Sequence, residues 1–250
     1  MQTFFSLLLF FCFFSTSLRS ELLFLRDHFS KAQSGDYIVA LVNKTVTLMH
    51  IHDRQGNTVT IEEISIPSSR CSPETDWKKW VAQGAPKHSS WVIYDIDLQS
   101  GQLLRYYSFT KKNWFEIPDT DHFLSTLLRL TFVKIPDHAR KKIGKVSPVA
   151  DDPRNFWQPK MVVNGQFIPT VFFDAWQAKW PKDGGELSGK TIEMYLPQDD
   201  EAYLSYFPYW LQIKGMIGKA TIRIIDSGHD LQSIKLFPPS TIPNFEITSV

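Results

Sequence analysis

From Thr191 to Asp226 the chain carries a pattern that sets its class. Phe207, Tyr209, Leu211 and Ile213 alternate with Trp210, Gln212 and Lys214. A period of two puts one apolar row on one face of a strand, as in a half-buried antiparallel sheet. The same stretch predicts a strand at Ile192–Leu196, a polar loop, a strand at Tyr206–Lys214, a break at Gly215-Met216-Ile217-Gly218, and a strand at Lys219–Asp226.

The remainder follows the same style. Glu21–Gln33 places Leu22, Leu25, Phe29 and Ala32 at helical spacing and ends at Ser34-Gly35, which predicts an amphipathic helix with a glycine stop. Tyr37–Val42, Thr45–His52 and Thr58–Ile66 are rich in Val, Ile and Thr and are divided by short polar connections, so they predict a meander. Ser72-Pro73-Glu74 opens a second helix that carries Trp77, Trp80 and Val81 and stops at Gly84. Strands resume at Trp91–Leu98, Leu103–Phe109 and Trp114–Ile117. A third helix is expected at Asp121–Leu130, with Phe123, Leu124, Leu127 and Leu128 as its stripe. Asp137–Pro159 reads as a basic, Pro-containing loop. Met161–Val163 and Gln166–Ile168 flank Asn164-Gly165, the strongest short hairpin signal in the chain. Val171–Trp180 fits either a helix or a strand.

Composition adds an address. The 250 residues, 43% hydrophobic and 21% charged, suit one substantial core rather than two. Phe4–Phe14 is an apolar run, too short for the roughly 18–20 residues a membrane span needs, and small residues follow it. Residues 1–20 therefore read as a signal peptide, an uncleaved anchor being the alternative, and residues 21–250 as a single domain. Without residues 1–20, which include Cys12 and Arg19, basic and acidic residues stand at 26 each, and Cys71 is the one cysteine left. A lone cysteine forms no internal disulfide, which fits a bacterial periplasm, and balanced charge makes no electrostatic case for nucleic acid.

Motifs for catalysis fail in context. Gly184-Gly185-Glu186-Leu187-Ser188-Gly189-Lys190-Thr191 has the spacing of a phosphate-binding loop, but Trp180-Pro181 precedes it and a strand, not a helix, is expected after it, so it reads as a Gly-rich turn. His50 and His52 share a strand face, where they could ligate a metal; the ordinary reading is a solvent-facing pair. Asp174, Asp226 and His229 have no spacing that assembles a hydrolase. No cofactor or metal is expected, and the chain is not read as an enzyme. The Arg140–Lys145 cluster reads as a solvated loop, with peripheral contact to anionic lipid head groups or an acidic partner as the functional alternative. The aromatic load is more pointed. Tyr203, Tyr206, Phe207, Tyr209 and Trp210, with Phe172, Phe173, Trp176 and Trp180 upstream, could line a concave apolar pocket or pack a plain core.

An export signal, an N-terminal helix, long hairpins, short covering helices and further hairpins together resemble the periplasmic lipoprotein carriers of the LolA/LolB type. Trp91–Phe109, Glu186–Pro197 and Tyr206–Asp226 are similar to segments of uncharacterised exported proteins of Gram-negative bacteria. The resemblance implies a mainly β (α+β) fold: a curved antiparallel sheet or open half-barrel with about three covering helices. It also implies a carrier or chaperone-like role, in which a lipid or an acylated protein segment lies between the sheet and the helices. Trp80, Trp176, Phe207 and Trp210 are the expected wall residues. The alternative is a non-catalytic envelope module whose exposed loops dock a protein partner; a secreted hydrolase ranks below both.

Overall fold

The computed structural model describes residues 21–72, 74–118, 122–145, 154–200, 202–215, 219–236 and 238. The signal-peptide reading falls on residues outside these. Among the described residues, no helix is long and apolar enough to cross a membrane.

Two antiparallel meanders make the sheet. The first runs through β2 (Tyr37–Val42), β3 (Thr45–Gln55), β4 (Thr58–Pro67), β5 (Ser90–Asp97), β6 (Gln102–Ser108) and β7 (Asn113–Phe115). The second runs through β11 (Phe173–Lys179), β12 (Thr191–Pro197), β13 (Trp210–Lys214) and β14 (Lys219–Gly228). They join where β14 pairs with β2. β1 (Leu22–Phe24) and β8 (Thr131–Lys134) extend the far side, giving the order β1-β8-β11-β12-β13-β14-β2-β3-β4-β5-β6-β7. β1 and β7 are its free edges, so the sheet is open. β9 (Met161–Val163) and β10 (Gln166–Ile168) form a separate hairpin. A mainly antiparallel β fold, with three short α-helices among the described residues, is therefore what the sequence pattern predicted.

Strand alternation divides the core between the two faces. Ile38, Ile51, Ile61, Tyr94, Leu211 and Ile213 point to one face, where α1 (Leu25–Phe29) and α3 (Phe123–Arg129) cover them. Val39, Leu48, Ile64 and Trp91 point to the other, under α2 (Trp77–Ala82) and Leu231.

Several local expectations are corrected. Glu21–Gln33 is not one helix: Leu22, Leu23 and Phe24 pair with Val133, Phe132 and Thr131, leaving a five-residue helix. The sheet edge here outweighs helical spacing, because pairing satisfies backbone groups that a short isolated helix would expose. Asp76, not Ser72, caps α2, its side chain accepting from Lys79 N–H. Val171–Trp180 resolves as β11. The strand expected from Tyr206 begins at Trp210, and Tyr206 and Phe207 instead fold onto Phe29, with ring centroids 5.1 and 5.9 Å away. The phosphate-loop look-alike is followed by strand β12, so it presents no helix N-terminus to an anion.

Candidate functional site

The four residues expected to share a pocket wall lie in separate surroundings. Trp80 is on the buried side of α2, edge-on to Trp77, and its Nε1 donates to the Pro86 carbonyl at 3.2 Å. Trp176 is buried in β11 beside β8, with the Lys134 ammonium 5.6 Å from its ring. Phe207 packs on Phe29 in the main core. Trp210 stands at the opposite side of β13, against Trp157 at 5.1 Å and Tyr195 at 5.4 Å. Trp176 lines a cavity of about 310 Å³ with Leu22, Phe24, Asp27 and His28, but Trp80, Phe207 and Trp210 do not line it, so the four form no common wall.

A groove opens instead outside the core, between the segments 140–145 and 154–160 on one side and the β9–β10 hairpin on the other. It has a volume of about 620 Å³, within the range of small-molecule sites. One wall arises after a 3₁₀ turn at Asp137–Ala139, where residues 140–145 pair with residues 154–157: Ile143 N–H donates to Asn155 O and Trp157 N–H to Lys141 O. Trp157 pins this pair of segments to the sheet through Tyr195 and Trp210. Burial there pushes the Tyr195 phenol up to about 12.

The hairpin makes the opposite wall. Asn164 (φ 50°) and Gly165 (φ 74°) both adopt the left-handed conformation that the Asn-Gly pair favours. Asn164 N–H donates to Ser227 O at 2.8 Å, Gly165 N–H to Asp226 Oδ1 at 3.0 Å, and Ser227 Oγ–H to Val162 O at 3.0 Å. These bonds clamp the hairpin to the end of β14, where a register shift between Ile224 and Asp226 opens the strand. Asp226 is thus a structural anchor; burial raises its carboxyl pKa, against the lowering effect of its bonds from the Gly165 and Ser227 N–H groups.

Phe167 and Ile168 from the hairpin, Val171 and Phe172 from its exit, and Phe156 opposite give the groove its apolar lining. Phe167 is 59% and Phe172 62% exposed, unusual for side chains of that size. Arg140 enters the same groove. It lies over the Phe156 ring at 4.5 Å, donates from Nη2 to the Phe173 carbonyl at 2.7 Å, and pairs through Nη1 with Asp137 at 3.3 Å. The Arg140–Lys145 cluster is therefore not simply solvated: the Arg140 side chain is only 10% exposed, and Lys141 sits 4.5 Å over Trp157.

The remaining sequence candidates disperse. His50 is buried and faces Glu62 at 3.0 Å rather than solvent, while His52 meets the Lys235 carbonyl at 3.0 Å. No metal-holding group of three or more His, Cys, Asp or Glu occurs among the described residues. His229 pairs with Asp36 at 2.7 Å, and Asp174 lies 3.5 Å from Lys134, so Asp174, Asp226 and His229 have different partners. The signal that pointed to the groove was already present: an Asn-Gly hairpin carrying a Phe at an alternating position, followed by Phe172. Its placement beside Arg140 depends on long-range docking.

The family model described as CT021 protein matches residues 47–169, a span from β3 through β10 that includes Arg140, Phe156 and Phe167. No curated protein matches. Among solved structures, the 2.0 Å structure of the hypothetical protein CT021 from Chlamydia trachomatis is similar, with a TM-score of 0.60 and 20% identity. The alignment covers 87% of this chain and 98% of that one, and at this identity the likeness is one of fold.

Proposed function

We propose that this is an exported, periplasmic, non-catalytic protein that binds an apolar ligand, such as a lipid or an acylated protein segment, in a carrier or chaperone-like role. The groove beside the β9–β10 hairpin is the observation that carries the reading. Its volume suits a chain-like ligand, and Phe167 and Phe172 offer apolar surface that no other part of the described chain covers. Burying an acyl chain there stabilises the complex by about 0.8 kcal/mol per CH₂, so shape suffices for affinity and no reaction chemistry is needed.

The test is native mass spectrometry with organic extraction of protein purified from a periplasm. Discrete co-purifying lipid masses that disappear on Phe167→Asp, and persist on Leu104→Asp at an exposed position of β6, support the reading. A clean apo mass that survives incubation with lipid and acylated peptide counts against it. The same exposed phenylalanines favour, as a second reading, an envelope protein docking through this face; a protein partner lost on Phe167→Asp with no lipid recovered would select it.

A further inference from the structure

Arg140 bears on what the ligand carries at its polar end, an inference that rests on the groove reading above. Its side chain is 10% exposed, and two of its nitrogens have protein acceptors, in the Phe173 carbonyl and Asp137. Its Nε–H is buried with no acceptor. A desolvated donor on a permanent cation is costly to leave unpaired, and such a group is an expected site for an incoming oxygen. Asp137 does not neutralise the site firmly, since it is 75% exposed and a solvated pair of this kind contributes little.

The groove lining repeats the sign. Arg140 and Lys160 are its ionisable residues, and no acidic residue lines it among the described residues. Gln158 also lines it, with a buried Oε1 that has no partner; a half-turn of that amide presents an N–H₂ donor at the same place. Donors from Arg140, Lys160 and Gln158 together with the apolar Phe167, Val171 and Phe172 make an amphipathic receptacle, positive where it is polar.

We infer that the groove takes a single-chain amphiphile with a carboxylate head group, the head on Arg140 Nε and the chain along Phe167, Val171 and Phe172. Apolar shape alone would not distinguish such an acid from its alcohol; the unpaired guanidinium donor does, because a carboxylate oxygen makes a charge-assisted hydrogen bond where a hydroxyl makes a weaker one.

Equilibrium dialysis of the purified protein at neutral pH with labelled laurate and labelled dodecanol tests this. The expected result is laurate bound about tenfold or more tightly than dodecanol, the factor that one charge-assisted bond supplies. In Arg140→Met, which keeps an apolar stem over Phe156, that preference should fall to near unity. Equal affinities in the unaltered protein overturn the head-group assignment and leave the groove reading standing. Binding of neither compound overturns the groove reading itself. A laurate preference that persists in a folded Arg140→Met overturns the role of Arg140. The comparison in the unaltered protein decides the head-group question even where Arg140→Met, having lost its bond to Phe173, does not fold.

Discussion

Trp91 Nε1 donates to Glu62 Oε1 at 2.7 Å in the interior of the α2-side core, where Glu62 is fully buried. The same oxygen accepts from Ser233 Oγ–H at 2.7 Å, and Oε2 faces His50 Nδ1 at 3.0 Å. Three elements distant in sequence therefore converge on one carboxylate, which also ties the segment after β14 to the sheet. Glu62→Leu would strand the Trp91 donor and unpair His50 and Ser233, and is expected to lower the unfolding free energy by about 2–5 kcal/mol. Glu62→Gln, which keeps an acceptor for Trp91, should cost less than half of that. Urea titrations of the two variants check the ranking; equal losses would mean that volume, not hydrogen bonding, governs this position.

Glu63 points to the opposite face and responds to pH. Burial raises its pKa above 4.5, and the bond from the Tyr94 hydroxyl at 2.5 Å only partly offsets that. A carboxyl whose folded pKa is raised favours folding while protonated. Its contribution is complete below the unfolded value near 4.5 and is lost as pH climbs through the raised folded value. Glu63→Gln, neutral at every pH and still an acceptor for Tyr94, should match the parent protein in acid and become the more stable of the two toward neutrality. Thermal melts across that range read the crossover; a constant difference with pH would contradict the assignment.

Gly228 closes β14 against the groove hairpin. A Cβ there would lie 2.5 Å from Asn164 Oδ1 and 2.8 Å from the Tyr37 ring, which is itself buried and has little room to retreat. Gly228→Ala should destabilise by about 1–3 kcal/mol, as overpacking does, and should also loosen the hairpin that carries Phe167. Raised amide exchange confined to residues 161–168 is the expected signature. Unchanged exchange in that hairpin would show that it does not depend on this contact.

How legible all this was in the sequence varied with the range of the forces involved. Leu211 and Ile213 alternate with half-buried Gln212 and exposed Lys214 as the period of two requires, because strand geometry alone sorts them. Asn164-Gly165 announced its turn for the same local reason. Leu22–Phe24 misled, since its helical spacing competes with an edge pairing to β8 more than a hundred residues away that no local pattern encodes. Trp80, Trp176, Phe207 and Trp210 were reasonable as large aromatics, but hydrophobicity does not tell a wall from a core, and three of the four are buried in packing. Arg140 was visible as part of a basic cluster; that its guanidinium turns inward onto Phe156 and Phe173 depends on contacts 16 and 33 positions away in the chain that no local pattern encodes.

Where an apolar ligand sits is the central claim. Uptake of the neutral dye N-phenylnaphthylamine by two variants, measured per folded molecule, addresses it most directly. Phe172→Asp places a charge in the groove at an exposed position and should weaken uptake at least about tenfold with stability little changed. Phe207→Ala removes a core ring and should cost about 3–5 kcal/mol of stability while leaving dye affinity intact. Uptake that survives Phe172→Asp and disappears with Phe207→Ala would contradict the account and move the ligand back between the sheet and α1.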